Sequence, residues 1–133
     1  MKTGEVILPV DPLTGYAFVT SDIHGPRAVY QADLLLDTGA AQTVLSGKLA
    51  AVLGYELGSI RRELIPVAGG QALSRLVRLN KIAIGEASLA DVNCRFMELP
   101  LFDGLLGNDL LRRLNILVVL DVRGRFAKLI FRG

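Results

Sequence analysis

The chain has 133 residues, 51% of them hydrophobic, and a formal net charge of only +2. This length suits one domain with a core of its own, and we assign residues 1–133 to it, with 1–15 as an N-terminal extension. A single cysteine excludes an internal disulfide framework, and a single histidine argues against the usual zinc clusters. We therefore expect neither a metal nor a cofactor.

Composition also limits the partners and the location of the protein. The basic residues are scattered and no aromatic platform accompanies them, so we expect no nucleic acid partner. No apolar run is long enough for a transmembrane helix, and the N-terminus is a poor signal peptide because Pro9 and Asp11 interrupt its short apolar stretch. We expect a cytoplasmic protein that does not bind membranes.

Short β-forming segments separated by turn residues follow one another along the chain. Turn chemistry at 21–26 predicts a hairpin between the second and third segments, and 68–71 predicts the tip of another. The predicted strands are 5–10, 16–20, 27–36, 61–67, 73–84, 89–99, 116–122 and 126–131. This pattern predicts an all-β fold resembling a closed barrel.

One or two short helices complete the prediction. Ser46 is a suitable N-cap and Gly54 a suitable terminator, and Leu49, Val52 and Leu53 between them share one helical face. A second short helix is expected at 109–114, with leucines on its apolar side.

The segment LLLDTGAAQTVL, residues 34–45, carries the clearest chemical signal. Its leucine run predicts a buried strand, and Asp37 stands where that strand ends in a tight turn. A buried carboxylate is costly unless it is hydrogen-bonded, paired or used in chemistry. Gly39 allows a sharp turn and a close approach from the other side. A bare Asp-Thr-Gly triplet is also compatible with an ordinary Asx turn that closes a hairpin.

The flanking residues resemble the active-site segment of retropepsin-like aspartic proteases, the family of the retroviral proteases and their cellular and bacterial relatives. The family pattern of two apolar residues, Asp-Thr-Gly and Ala matches residues 35–40, with Ala40 in the last place, and the apolar pair Val44-Leu45 follows. A second motif of the family, two apolar residues and a glycine before a short helix, matches Leu105, Leu106 and Gly107.

This resemblance implies the acid protease half-fold and a mechanism that needs two carboxylates sharing one proton. The chain has one Asp-Thr-Gly, so the resemblance implies a homodimer with one Asp37 from each chain, acting on peptide or unfolded protein. Thr38 is then expected to reach the partner's loop and to hold the carboxylates nearly coplanar. We expect the terminal strand 126–131 to pair with the partner's terminus.

The resemblance also implies a flap over the site, which we assign to Ala68, Gly69 and Gly70. An ordinary surface hairpin explains the same residues equally well. Leu106 is expected in the core and Val44 near the substrate pocket.

The sequence departs from the retroviral pattern at two positions. Retroviral members commonly carry an acidic residue and an arginine that form a salt bridge, and Ala41 and Asn108 stand at these places here. Both partners are missing together, so no buried charge is left unpaired.

Two functions fit these observations: an active homodimeric aspartic endopeptidase, and a catalytically weak or inactive module of the same fold that dimerises or binds peptides. The intact Asp-Thr-Gly-Ala segment favours the endopeptidase, because a binding module has no need for a buried aspartate. A ligand-binding β-barrel of another kind has no positive feature in the sequence.

Overall fold

The structure, a computed structural model, describes residues 4–132 and consists mainly of β-strands. Two short helices, α1 at Lys48–Leu53 and α2 at Asn108–Arg113, and a 3-10 turn at Leu57–Ser59 interrupt them. The strands are β1 Gly4–Pro9, β2 Phe18–His24, β3 Val29–Leu36, β4 Val44–Ser46, β5 Arg62–Val67, β6 Gly70–Ile84, β7 Ala87–Met97, β8 Gly104–Leu106, β9 Ile116–Asp121 and β10 Phe126–Phe131.

Six of these strands form a closed barrel. They follow the order β2-β3-β8-β4-β7-β6, and β2 pairs with β6 to close the ring, while β5 extends the sheet beyond β6 as an edge strand. Closure removes the free edges that an open sheet would expose. The prediction of an all-β closed barrel with two short helices is therefore confirmed.

Alternate side chains of the barrel strands fill its interior. Leu34, Leu45, Leu79 and Leu106 are fully enclosed, as expected for inward-facing positions with a period of two. Gly104 allows β8 to lie tightly beside β4, because a Cβ there would come within 2.5 Å of the Val44 carbonyl oxygen.

A second sheet has the order β1-β10-β9, so β10 lies in its centre. Each edge of β10 is occupied: Lys128 is opposite Ile7 on one side and Val119 on the other. The prediction that residues 126–131 pair with a partner's terminus is wrong, because the chain's own β1 and β9 satisfy the backbone groups of this strand.

Helix α1 differs from the prediction at its start. Ser46 belongs to β4, and its hydroxyl donates to the Leu99 carbonyl 3.3 Å away, so it cannot cap the helix. The cap residue is Gly47, without a side-chain hydrogen bond, while Gly54 at φ +100° ends the helix as predicted. Val52 is 47% exposed, because Ala50 takes its place on the buried face.

The first hairpin has a shorter turn than the sequence predicts. Strand β2 continues to His24, and the turn closes with a bond from the Gly25 amide to the Ala28 carbonyl at 2.9 Å. The pairing of β2 with β6 that closes the barrel keeps Asp22–His24 extended despite their turn-forming composition. Neither of the two helices described, each of six residues, is long enough to span a membrane.

Candidate active site

Asp37 directly follows the last residue of β3. Its amide donates to the Leu106 carbonyl at 3.0 Å, which continues the parallel pairing of β3 with β8. Because side chains alternate along an extended strand, Asp37 projects to the same face as Leu35. The carboxylate is half-buried, so it remains accessible at the protein surface.

The Asp-Thr-Gly turn is closed by its own hydrogen bonds. The Gly39 amide donates to Oδ1 of Asp37 at 3.1 Å, and the Ala40 amide donates to the Asp37 carbonyl at the same distance. Thr38 and Gly39 are exposed, and Ala40 is half-buried. One carboxylate oxygen is thus held by a backbone donor while the turn presents Thr38 outwards.

The second motif of the chain packs directly on this turn. A Cβ at Gly107 would lie 2.7 Å from the Gln42 carbonyl carbon and oxygen and 3.0 Å from the Ala40 oxygen. Only glycine allows the two backbones to come this close. The following residue, Asn108, donates its amide to the Ala40 carbonyl at 2.9 Å, so the two motifs are joined by their main chains.

The side chain of Asn108 adds a second bond between the motifs. Its Nδ2 donates to the Thr38 carbonyl at 2.6 Å. At the position where retroviral members carry an arginine, this chain therefore keeps a polar contact to the loop. The contact is neutral, and neither Asn108 nor Ala41 carries a charge.

A further anchor, which the sequence analysis missed, lies between Thr43 and Asp109. Both the amide and the hydroxyl of Thr43 donate to Oδ1 of Asp109, at 2.9 and 2.7 Å. The Thr43 hydroxyl also accepts from the Gly107 amide at 3.0 Å. Thr43 is 1% exposed. The available signal was a hydroxyl directly before the buried apolar pair Val44-Leu45, because a buried hydroxyl needs partners.

The remaining predicted residues of the two motifs lie side by side in the barrel wall. Leu106 is fully buried in the core, while Leu105 is half-buried and is paired with both Leu35 and Val44. Ladder partners share a face of the sheet, so Val44 and Leu105 lie on the face to which Asp37 projects. Val44 is 6% exposed there.

Ala68, Gly69 and Gly70 are exposed at the tip of the hairpin formed by β5 and β6. Gly69 has φ +85° and Gly70 φ +149°, conformations that favour glycine. A Cβ at either glycine would meet no atom within 4 Å. The tip is thus unpacked, unlike the Asp37 turn.

Cys94 does not contribute to this site. Burial raises the pKa of the Cys94 thiol to about 12, and a thiol that stays protonated is a poor nucleophile. In the part of the chain that the structure describes, no three His, Cys, Asp or Glu side chains come together as a metal site would require.

Comparison with known proteins places this arrangement in a family. Residues 28–113, which include Asp37 and the Gly107 motif, match the family described as "gag-polyprotein putative aspartyl protease". No curated protein matches the sequence.

Solved structures with the same fold share little sequence identity with this chain. The chain is similar to a retropepsin-like aspartic protease from Rickettsia conorii, with a TM-score of 0.78 and 20% identity over 98% of this chain and 93% of that one. It is also similar to EIAV protease complexed with the inhibitor HBY-793, with a TM-score of 0.62 and 22% identity over 83% of this chain and 98% of that one. This protein belongs to the retropepsin-like family of aspartic proteases.

Proposed function

We propose that the protein is a homodimeric aspartic endopeptidase with one active site formed by the Asp37 residues of two chains. The observation that carries the proposal is the position of Asp37, half-buried at the end of β3 in a turn that the second motif holds from behind. A carboxylate held rigidly beside apolar side chains suits the activation of a water molecule.

The chemistry needs a second carboxylate, which one chain does not supply. The ionised member of such a pair takes a proton from water, and the neutral member polarises the peptide carbonyl. Asp103 accepts from the Asp33 amide at 3.0 Å and pairs with Lys48 at 3.6 Å. Asp121 accepts from the Gly124 amide at 2.6 Å. Both carboxylates have structural roles, which favours a second Asp37 as the partner.

The free edge of β9 is a suitable surface for that second chain. Leu117 and Val119 are each 41% exposed and Leu120 is 61% exposed, and residues 116–121 contain neither lysine nor proline. Monomeric proteins usually protect such an edge. A concavity lined by Thr38, Asn108 and the start of β9 connects this edge with the Asp37 turn. Antiparallel pairing of two β9 strands about a two-fold axis would seat the turns near the same axis.

The β5–β6 hairpin serves as the flap in this proposal. Its exposed glycine tip and the main-chain pairing of β5 with β6 alone support a segment that opens for substrate and closes to exclude water. Substrate is then an extended peptide or an unfolded protein segment lying between the flap and the Asp37 turn.

The proposal is tested by mixing wild-type protein with the Asp37→Asn variant. The variant alone should be inactive but folded, because the substitution preserves shape and relieves repulsion between paired carboxylates. With equal amounts and free chain exchange, about a quarter of the dimers carry two Asp37 residues. Activity should fall towards that fraction. Activity that follows the wild-type share, with exchange confirmed by differently tagged chains, would show that each chain works alone.

The dimer itself is tested by Val119→Lys, which places a charge on the exposed edge strand. We expect dissociation in sedimentation experiments and loss of cleavage, while the melting temperature of the monomer falls only modestly, because Val119 is a surface residue although the new lysine stands opposite Lys128. Val29→Lys is the control, since Val29 is equally a surface valine, 55% exposed, but lies on β3 of the barrel, away from β9. A wild-type protein that stays monomeric while fully active contradicts the dimer model.

A further inference from the structure

A row of side chains crosses the barrel wall on the face to which Asp37 projects. We call it the cross-strand row; its members are Phe18, Leu35, Leu105, Val44 and Arg95, each paired with the next on the neighbouring strand. Because ladder partners share a face, the row forms one continuous surface from β2 to β7. Four members are apolar, and the fifth is an arginine.

Arg95 is largely enclosed, with 17% of its side chain exposed. Its Nη1 donates to Oε1 of Glu63 at 3.0 Å and to the Ser74 hydroxyl at 3.3 Å. Glu63 is opposite Ser74 at the base of the β5–β6 hairpin, so these contacts connect the cross-strand row to the proposed flap.

The guanidinium of Arg95 also has an unused donor. Its Nε is buried and has no hydrogen-bond acceptor. Every other buried side-chain nitrogen or oxygen atom in residues 4–132 has a hydrogen-bond partner. Buried polar groups are almost always paired, so an exception indicates a missing partner. The charge itself cannot be lost, because a guanidinium stays protonated.

The surroundings of the guanidinium favour a ligand over a purely structural role. Glu63 engages only Nη1, on the hairpin side, and its own side chain is 48% exposed. A carboxylate that reaches the exposed part of the guanidinium can form a charge-assisted hydrogen bond with it, the pairing that arginine offers to acids. Arg78 on the adjacent strand shows the contrast: its side chain is 70% exposed and is paired with Asp91 at 3.7 Å.

We propose that Arg95 is a specificity-determining residue that binds an acidic side chain of the substrate peptide. This inference rests on the proposed function, because it assigns the substrate to the Asp37 face of the barrel. A peptide lying along the cross-strand row would place one side chain at Arg95 while the bond to be cleaved lies at Asp37. The enzyme would then prefer Glu or Asp at one position to one side of the cleaved bond.

The test compares cleavage of matched peptides in which Glu or Gln is placed at each position around the cleaved bond. For the wild type we expect kcat/KM to be about tenfold higher for Glu than for Gln at one position, as a charge-assisted hydrogen bond would give. Arg95→Gln should lose this preference while still cleaving the Gln peptide. Arg78→Gln is the control and should leave the preference unchanged.

Two further variants separate recognition from folding. Arg95→Lys keeps the charge without the planar fork and should reduce the preference only in part. Glu63→Gln removes the negative charge beside the Arg95 guanidinium and should increase the preference for the Glu peptide. Should Arg95→Gln fail to fold, these two variants still decide the question, because a structural role predicts equal effects on both peptides.

Each remaining outcome is decisive. A wild-type enzyme that cleaves Glu and Gln peptides equally at every position overturns the assignment of Arg95 but leaves the proposed function standing. Equal losses on both peptides in Arg95→Gln indicate a contact with the peptide main chain or a structural role, and they also overturn it. A wild-type protein that cleaves no peptide overturns both proposals.

Discussion

The Asp37 turn and the tip of the β5–β6 hairpin are both glycine-containing turns between apolar strands, yet they are held very differently. Backbone and side-chain bonds from Leu106, Asn108 and Asp109 cross to the Asp37 turn from a segment about 70 positions further along the chain. The hairpin tip has only its own ladder, which ends with Val67 opposite Gly70. One turn is held from outside and the other only by its own strands.

The two regions require glycine for different physical reasons. Gly107 behind the Asp37 turn is extended, with φ −98°, and is needed because the Gln42 and Ala40 carbonyls approach it closely. Gly69 at the hairpin tip has open space around it but a positive φ. Gly107 is required for close packing and Gly69 for its backbone conformation. A substitution at Gly107 should therefore cause a steric clash, and one at Gly69 should strain the backbone.

The largest effect is expected for Gly107→Ala. The new Cβ would overlap main-chain atoms of residues 40–42 that cannot rotate away, and overpacking of this kind costs about 1–3 kcal/mol, or more where backbone must shift. We expect a lower free energy of unfolding in urea and loss of peptide cleavage. Gly58→Ala is the control, because a Cβ there meets no atom within 4 Å. Equal stabilities for the two variants would contradict the close approach at Gly107.

The next effect concerns the buried pair of Thr43 and Asp109. Asp109→Ala should lower the free energy of unfolding by about 1.5–3 kcal/mol, as for hydrogen bonds to a charged group, and it leaves the Thr43 hydroxyl short of an acceptor. Thr43→Val should cost less, and the double variant should cost less than the sum of the two. Denaturant unfolding of the four proteins measures this coupling.

An exposed pair of the same residue types provides the control for that experiment. The Thr20 hydroxyl donates to Oδ1 of Asp33 at 3.2 Å on the protein surface. Thr20→Val should change the free energy of unfolding by no more than about 0.5 kcal/mol. Additive effects of the Thr43 and Asp109 substitutions would mean that these residues do not act as one anchor.

The smallest effect on stability is expected for Gly69→Ala in the hairpin tip. A left-handed conformation costs an alanine about 1–2 kcal/mol, but the hairpin can relax because nothing packs on its tip. We expect a small change in melting temperature and a clear decrease in kcat/KM. Gly15→Ala, with φ +75° and equally open surroundings, gives the same strain elsewhere and should leave cleavage intact. Equal cleavage by both variants would argue against the hairpin as a flap.

Several features of the fold could be predicted from local sequence alone. Turn residues and short β-forming segments predicted an all-β barrel, and Gly54 marked the end of α1. Ser46 does not cap the helix, because it is the last residue of β4. The turn at 21–26 is shorter than predicted, because pairing with β6 keeps β2 extended. Local propensity is a weak guide wherever a strand from a distant segment supplies the hydrogen bonds.

The leucine run before Asp37, the Asp-Thr-Gly turn and the second glycine motif could be interpreted from local sequence, because each depends on neighbouring residues. That Thr43 binds Asp109, that Arg95 stands beside Val44 on the Asp37 face and that β10 is enclosed by β1 and β9 became evident only in the folded chain. These contacts join segments far apart in the chain. Their partners are chosen by strand register and barrel closure, which no local pattern specifies.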